Sequence, residues 1–527
     1  EMAMRITNNI ILHNTSININ GNKGNVDTLN NQMTTQKKIQ RPSDDPVTAI
    51  RALRLRSTLS EIDQYYEKNI PDAESWLDVT ETAMLNVQDL IKTIRTQCEY
   101  GAQDSLTADN RKTILTQLEQ LRDKIYSEGN ADYAGRTVFT GYRTNKKLTF
   151  MQNEDSTKYE IMQKLSYGDL QEYRYYGNDV SMPKDLQNDT IASPTKATYD
   201  RIRLGYDGID SIDTKNAAGN TVKTSANGSA VTVNYNYTGA NNAVMTGTMK
   251  VTVYDSYEKW LDASGKNPKT YDIADGEAVL IRNTGELIFS ENASKTLTTN
   301  KASLDISYTK TGFDKGELRP EYYFNCTNVT DGNNPLKYEK YDADGKQIYQ
   351  DIDYVVAANQ TLNINTEASD VFDQSLGRDV DELIDAVQRA LDAEQKVTDL
   401  EAMKKLDQYS SEGDQTKLDE WIAAAKKEQD YANDNMQTLY NSYIGNCDTY
   451  LNKVNLALTD VGAKGQSLTL TKNRMANQQT TLEELKSSNE DRDLSDIILD
   501  YTAAYTAYQS SLQAASKISQ TTLLSYL

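Results

Sequence analysis

"RPSDDPVTAIRAL", Arg41 to Leu53, decides how the first third of this chain is built. Pro42 and Pro46 bracket Ser43, Asp44 and Asp45, and amphipathic sequence flanks the block on both sides. Proline biases the residue before it away from the α region, so Arg41 and Asp45 are both pushed extended. An extended Asp45 suits an N-cap, whose carboxylate accepts from the free N–H groups of a first helical turn. Pro46 suits the next position, where no N–H is needed. The block is therefore expected to stop one segment, cross in an extended form and start a helix. The apolar face of that helix is expected to run through Ile50, Leu53, Ser57 and Ser60 or Leu59. A catalytic carboxylate pair is the competing reading of Asp44 and Asp45. No histidine, cysteine or metal-ligand cluster lies nearby to support it.

Composition closes off other functions. The chain has 527 residues and a net charge of −21. That excludes the basic footprint of a phosphate-backbone binder and anchoring on anionic lipid, so neither nucleic acid nor membrane is expected as a partner. No apolar run reaches the length of a membrane span. The start, EMAMRITNNIILHN, lacks the long apolar region and cleavage site of a secretory signal, so export is expected to use another route. His13 is the single histidine, which removes HExxH zinc sites and a Ser-His-Asp relay. Cys98, Cys326 and Cys447 are too scattered for a zinc or redox motif and are expected to be buried or half-buried thiols. No glycine-rich phosphate loop occurs. The sequence therefore nominates no catalytic residue, no cofactor and no metal, and no enzyme is expected.

The prolines fall at 42, 46, 71, 183, 194, 268, 320 and 335. From Asp72 to Met182, and from Leu336 to the last residue, there is none. Proline costs about 3 kcal/mol inside a helix, so these stretches permit long helices. The centre has another texture. Val231, Val233, Tyr235 and Tyr237 alternate with polar residues, and Met249, Val251 and Val253 repeat that period of two. Val279 and Ile281, then Asn283-Thr284-Gly285, then Leu287 and Phe289, predict a hairpin. The order is helical, β-rich, helical.

Heptad-spaced stripes mark the helical parts. Leu494, Ile498, Tyr501, Tyr505, Tyr508, Leu512 and Ala515 step by four and three, the seam of a helix that packs against another. Val454, Leu458, Val461, Gly465, Leu468, Lys472, Met475, Gln479 and Leu482 keep a looser version. Trp76, Val79, Ala83, Val87, Leu90, Ile94 and Cys98 form a third. The first arm is weaker: Ile6, Ile10, Ile17 and Leu29 are interrupted by Asn18, Asn20, Gly21 and Gly24, and glycine costs about 1 kcal/mol in a helix. An ordinary bundle core, and coiled coils of the two chain ends with each other or with neighbours, both fit these stripes.

"TTQKKIQRPSDDPVTAIRAL" resembles the S-x-G-K-R-I-x-x-P-S-D-D-P segment of the bacterial flagellin family. Lys37, Lys38, Ile39, Pro42, Ser43, Asp44, Asp45 and Pro46 carry the match, and Gln36 departs from it where the family often has glycine. "SWLDVTETAMLNVQDLIKTIRTQ", from Ser75, "GNADYAGRTVFTGY", from Gly129, and the last segment, from Asp493, follow the family in order. The resemblance covers roughly Met4–Tyr142 and Phe372–Leu527. The Leu523-Leu524-Ser525-Tyr526-Leu527 end, without proline, is more similar to the flagellin-like hook–filament junction proteins than to flagellin itself. The NIANxNTxGY segment of the other junction protein is absent.

The resemblance implies a fold that is mainly α at both chain ends, with long helices in a coiled-coil inner domain and a helical rod, and a β-rich inserted central region: a multidomain α+β protein. The implied division is an N-terminal arm, 1–42, disordered when free; the first part of the rod, 43–144; an outward-facing insert, 145–371, standing as an independent unit; the second part of the rod, 372–490; and a C-terminal arm, 491–527. It implies a structural subunit of the junction ring between hook and filament. The implied partners are the first hook–filament junction protein, flagellin, further copies of itself and an export chaperone. The implied location is the extracellular flagellum, reached by the flagellar type III pathway without a cleaved signal. Leu90, Ile94 and Arg95 resemble part of the flagellin surface read by an innate immune receptor, while Thr96 and Gln97 depart from it. A filament subunit is the alternative, as is a binding module in the insert, whose tyrosines suit either a contact surface or small β cores. An enzyme in the insert would need a carboxylate-only mechanism, and no acid pair is nominated.

Overall fold

The computed structural model describes residues 8–103, 106–215, 220–239 and 243–520. The chain opens with helices α1 (Asn8–Thr35), α2 (Pro46–Gln64), α3 (Ile70–Gly101) and α4 (Ala108–Ile125). A small hairpin follows, β1 (Asp132–Tyr133) and β2 (Arg136–Thr137). Next come β3 (Glu154–Ser166), β4 (Gln171–Gly177), β5 (Thr195–Arg203), β6 (Ser211–Lys215), β7 (Thr221–Thr224), β8 (Ser229–Thr238) and β9 (Val244–Tyr254). After α5 (Tyr257–Asp262) run β10 (Ala278–Ile281), β11 (Glu286–Phe289), α6 (Glu291–Thr299), β12 (Ser303–Phe313), β13 (Asn325–Asn328) and β14 (Leu336–Tyr338). The hairpin β15 (Asp353–Ala357) and β16 (Gln360–Asn363) leads to α7 (Ala368–Val371), α8 (Gln374–Lys404), α9 (Glu412–Glu490) and α10 (Leu494–Gln520). Helical ends around a β-rich centre make the chain α+β, the order legible in the prolines.

Two compact units divide the chain. The first holds the described residues through Glu74, Tyr354–Leu362 and those from Gly465 on; the second holds Ser75–Asp353 and Asn363–Lys464.

In the first unit, α2 runs into α3 through a π turn, Tyr65–Asn69. Pro71 sits just beyond it. A wider turn accommodates a residue that cannot donate to the helix ladder. The buried face of α2 is Ala49, Ala52, Leu59 and Ile62. That corrects the expected face in part: Leu59 lies on it, whereas Ile50 and Leu53 are 53% and 61% exposed. In its first turns two alanines face inward while Ile50 and Leu53 face out; Leu59 and Ile62 continue the buried face.

The second unit contains a twelve-stranded sheet ordered β14-β13-β3-β12-β8-β9-β10-β11-β5-β4, with β6 on β12 and β7 on β6. The alternating residues of β8 and β9 form an antiparallel pair in register, Val231 opposite Val251 and Val233 opposite Met249. β10 and β11 form the expected hairpin, with Val279 opposite Ile288. Gly285 sits in its turn at φ +60, and a Cβ there would lie 2.1 Å from the Tyr206 carbonyl oxygen. Only glycine fits that approach. Tyr175, Trp260, Tyr271, Val279, Ile281 and Ile288 make one buried cluster, edged by Tyr173, Tyr199 and Tyr257. These tyrosines fill a core.

The sheet does not stand apart from the helices of this unit. Arg201 on β5, 1% exposed, donates to Glu286 at 2.9 Å and to Glu382 of α8 at 2.7 Å. Its guanidinium carbon lies 3.7 Å from the centre of the Tyr173 ring. Arg203 bonds Asp379 and Glu382, Tyr443 of α9 donates to Glu382, and Tyr450 donates to Asp379 at 2.7 Å. Burial alone would raise the Glu382 pKa, but Arg201 and Arg203 together hold it below the usual carboxylate range. Removing either side of such a network would strand buried charge.

The α3 stripe is real but slips by one residue at two places. Thr80 and Ile91 are buried where Val79 and Leu90 were expected, beside Trp76, Ala83, Val87, Ile94 and Cys98. The Thr80 hydroxyl donates to the Trp76 carbonyl at 2.8 Å, which lets a polar residue enter the face. On α9, Val454, Val461, Leu468 and Met475 are buried as expected, and Ala457 and Thr471 stand inward where Leu458 and Lys472 were expected. All three cysteines are buried free thiols.

Candidate assembly surface

The Arg41–Leu53 block does what its chemistry dictates. Asp45 is extended, at φ −149 and ψ 98, and caps α2 with Pro46 in the first turn. Its carboxylate accepts from Val47 N at 3.0 Å, Thr48 N at 3.2 Å and the Thr48 hydroxyl at 2.6 Å. Those bonds, the Thr48 hydroxyl first, lower its pKa. Asp44 folds back and accepts from Arg41 N at 2.9 Å and Gln40 N at 3.2 Å, closing a turn across Pro42 and Ser43. The bonds of both carboxylates are local, to the turn before α2 and to its first turn, as a helix-starting device requires.

The helix-starting block stands beside the turn between α9 and α10. Lys38 N donates to the Glu490 carbonyl at 2.7 Å, and Arg492 N donates to the Gln36 carbonyl at 3.0 Å. Arg56 of α2 grips Glu490 with two bonds, 2.8 and 2.5 Å. The hydrogen bond from Arg56 leads the causes that hold the Glu490 pKa below its usual value. Lys37 pairs with Asp491, and Asn489 donates to the Thr48 carbonyl at 3.2 Å. Glu490, 2% exposed, escaped the sequence reading. Its signal was faint: an acid at the end of a long helix, in the run Asn489-Glu490-Asp491-Arg492. Gln36 stands at φ +56. A left-handed backbone explains why glycine is favoured at this position.

α10 begins where α1 ends, so the two helices run antiparallel, and they pack against each other. The half-buried face of α1 is Thr15, Ile19, Asn22, Val26, Leu29 and Met33, stepping by four and three. That corrects the expected first seam. Leu29 belongs to it, Ile10 and Ile17 are 52% and 54% exposed, and Ile6 lies outside the described residues. The matching face of α10 is Ile497, Tyr501, Ala504, Tyr508, Ser511, Ala515 and Ile518, again at heptad spacing.

The expected α10 seam is therefore split. Tyr501, Tyr508 and Ala515 belong to the face turned to α1. Leu494, Ile498, Tyr505 and Leu512 lie one position round and are 42%, 45%, 43% and 42% exposed. Leu499 beside them is 69% exposed. The Tyr501 and Tyr505 rings stack with centres 6.0 Å apart across the border between the two stripes. Ile497 is fully buried, whereas every other described side chain of α10 and every described side chain of α1 is at most half-buried. Leu523–Leu527, which carried the junction-like ending, lie outside the described residues.

On α3, Leu90 is half-buried and Ile94 is buried. Arg95 pairs with Asp448 at 2.8 Å and with Glu99. Among the described residues no cluster of three metal-ligating side chains occurs, and no helix is long and apolar enough to cross a membrane.

Residues 6–144 match the model of the bacterial flagellin N-terminal helical region. Flagellar hook-associated protein 3 of Salmonella typhimurium is 28% identical over 142 residues, 27% of this chain and 44% of that protein. Flagellar hook-associated protein 3 of Escherichia coli K12 is 31% identical over 135 residues, 24% of this chain and 39% of that protein. The matched stretch thus spans less than half the length of either curated relative. The crystal structure of flagellar hook associated protein-3 from Legionella pneumophila aligns over 82% of this chain and 98% of its own, at 12% identity and a TM-score of 0.30. Both curated names are those of flagellar parts and not of enzymes. Over residues 6–144 this chain is similar to the N-terminal helical region of bacterial flagellins, and over about a quarter of its length it is similar to hook-associated protein 3.

Proposed function

We propose that this chain is a structural subunit of the bacterial flagellum that sits in the junction ring between hook and filament, held by coiled-coil packing of its two terminal helices. One observation carries the proposal: α1 and α10 pair at heptad spacing yet bury almost nothing, and α10 turns a second apolar stripe to water. Hydrophobic burial is the main force that holds paired helices. A pair this thin gains most of its burial from neighbouring helices, so further copies of the chain and the adjoining flagellar proteins are its natural partners. The segments 1–42 and 491–527 are then the inner arms, ordered by assembly. Segments 43–144 and 372–490 form the helical rod, and 145–371 faces outward.

The partners in this reading are the first hook–filament junction protein on one side and flagellin on the other, with an export chaperone beforehand and passage through the type III pathway. The test offers the isolated protein to hook tips already capped by the first junction protein. Bound protein that saturates at a short collar supports the junction reading. Long filaments grown from this protein alone would overturn it and make the chain a filament subunit.

A further inference from the structure

Cys98 of α3 and Cys447 of α9 meet inside the second unit, although they lie far apart in sequence. Polar contacts fix the register of the two helices. Gln88 donates to Asn455 at 2.5 Å, and Arg95 donates to Asp448 at 2.8 Å. Further along α3, a Cβ placed on Gly101 would fall 2.3 Å from the Tyr440 ring. Residue numbers rise on α3 as they fall on α9, so the helices are antiparallel and Cys98 comes to the turn that holds Cys447. Both residues are buried, 0% and 2% exposed, and their thiols are near enough for Cys447 to act on Cys98. Cys326 sits apart, on β13 of the sheet.

We propose that Cys98 and Cys447 are a disulfide site, a covalent staple that ties α3 to α9 once the chain meets a disulfide oxidant. Its natural setting, outside the reducing cell interior, rests on the flagellar reading; the chemistry does not. With glutathione disulfide as oxidant, one protein thiolate attacks a glutathione sulfur and releases one glutathione thiolate. The second protein thiolate then attacks the mixed disulfide and releases the other. The protein loses two protons and two electrons, and the oxidant becomes two reduced glutathiones. The neighbouring Cys447 and burial push the Cys98 thiol up, and both thiols are shut away from solvent in the folded chain. The exchange therefore takes place while the two helices close on each other, or when they open locally.

The full chain, unfolded in urea, is refolded either with glutathione disulfide or with a phosphine reductant. The oxidised sample is expected to lose about 2 Da. It should keep one of its three thiols for alkylation, and it should yield a linked peptide pair containing Cys98 and Cys447. Its urea midpoint should lie above that of the reduced sample, because the bond closes a long loop. Cys326→Ala should keep the link, whereas Cys98→Ser and Cys447→Ser should each abolish it. A second arm treats the native chain with copper-phenanthroline, and the same link should form more slowly. Three free thiols in both arms, or a link through Cys326, would overturn the proposal. The mass and peptide readouts need no hook, so this failure is distinct from failure to bind capped hooks.

Discussion

Residues at the two chain turns set the first unit, and each has a consequence that can be measured. Asp45→Ala removes the acceptor for Val47 N and Thr48 N. Amide exchange should quicken in the turn after Pro46, with no chemical activity lost, since the Asp45 bonds are those of a cap. Unchanged exchange there would mean that the cap does not hold the turn. Glu490 gives a pH signature. Its pKa is lowered in the folded state, so its contribution is present above the unfolded value near 4.5 and is lost as pH falls through the folded value. Glu490→Gln should cost roughly 1 kcal/mol at neutral pH, because water still screens Arg56. It should also flatten the acid limb of a urea-midpoint titration. An acid limb identical to wild type would show that Arg56 adds nothing. Asp45 was legible because capping is local chemistry, carried by four consecutive residues. Glu490 was not, since its partners Arg56 and Lys37 are remote in sequence and nothing local announces them.

At the scale of elements, heptad spacing was legible and heptad phase was not. On α10 two stripes at the same spacing share Tyr501, Tyr508 and Ala515, and the sequence alone cannot choose which of them meets α1. On α2 the inward face begins with two alanines, and in those first turns hydrophobicity points to the wrong side. On α3 a threonine satisfied by its own helix replaces a valine. In each case the deciding fact is the shape of the opposing surface.

The split seam yields a paired test. Tyr505 faces water in the single chain and Ala504 faces α1. Tyr505→Asp should leave the melt and helix content of the free protein unchanged. In an assembly it would place an unpaired charge in a packed layer, at a cost of several kcal/mol, roughly 3 to 5. Ala504→Asp should instead weaken the α1–α10 pair itself, by about 2 kcal/mol, visible as lost helicity and faster exchange along both helices. A free-protein melt lowered by Tyr505→Asp and untouched by Ala504→Asp would reverse the phase assigned here.

For the whole molecule, the sequence marked out a helical, β-rich and helical order. It did not show that the sheet is bolted to α8 and α9 by Arg201, Arg203, Glu382 and Asp379. Charged residues on a strand read as a solvated face, and pairs so distant in sequence leave no trace in spacing. Excising 145–371 with a Gly/Ser joint would leave Glu382 and Asp379 without their cations. The truncated chain should lose cooperative melting, and Glu382→Gln in the full chain should cost about 3–5 kcal/mol. A cooperative melt after excision would mean that the helices hold together without the sheet.

Binding to capped hooks, wild type beside Tyr505→Asp, tests the central claim most directly, because it asks whether the exposed stripe of α10 is what joins this subunit to its neighbours. Sedimentation of the hooks with increasing protein gives the amount bound, and electron microscopy gives its extent. The account predicts that wild type saturates as a short collar and that Tyr505→Asp, folded as well as wild type, stays in the supernatant. Equal binding by the mutant, or filaments that lengthen without limit, would contradict it.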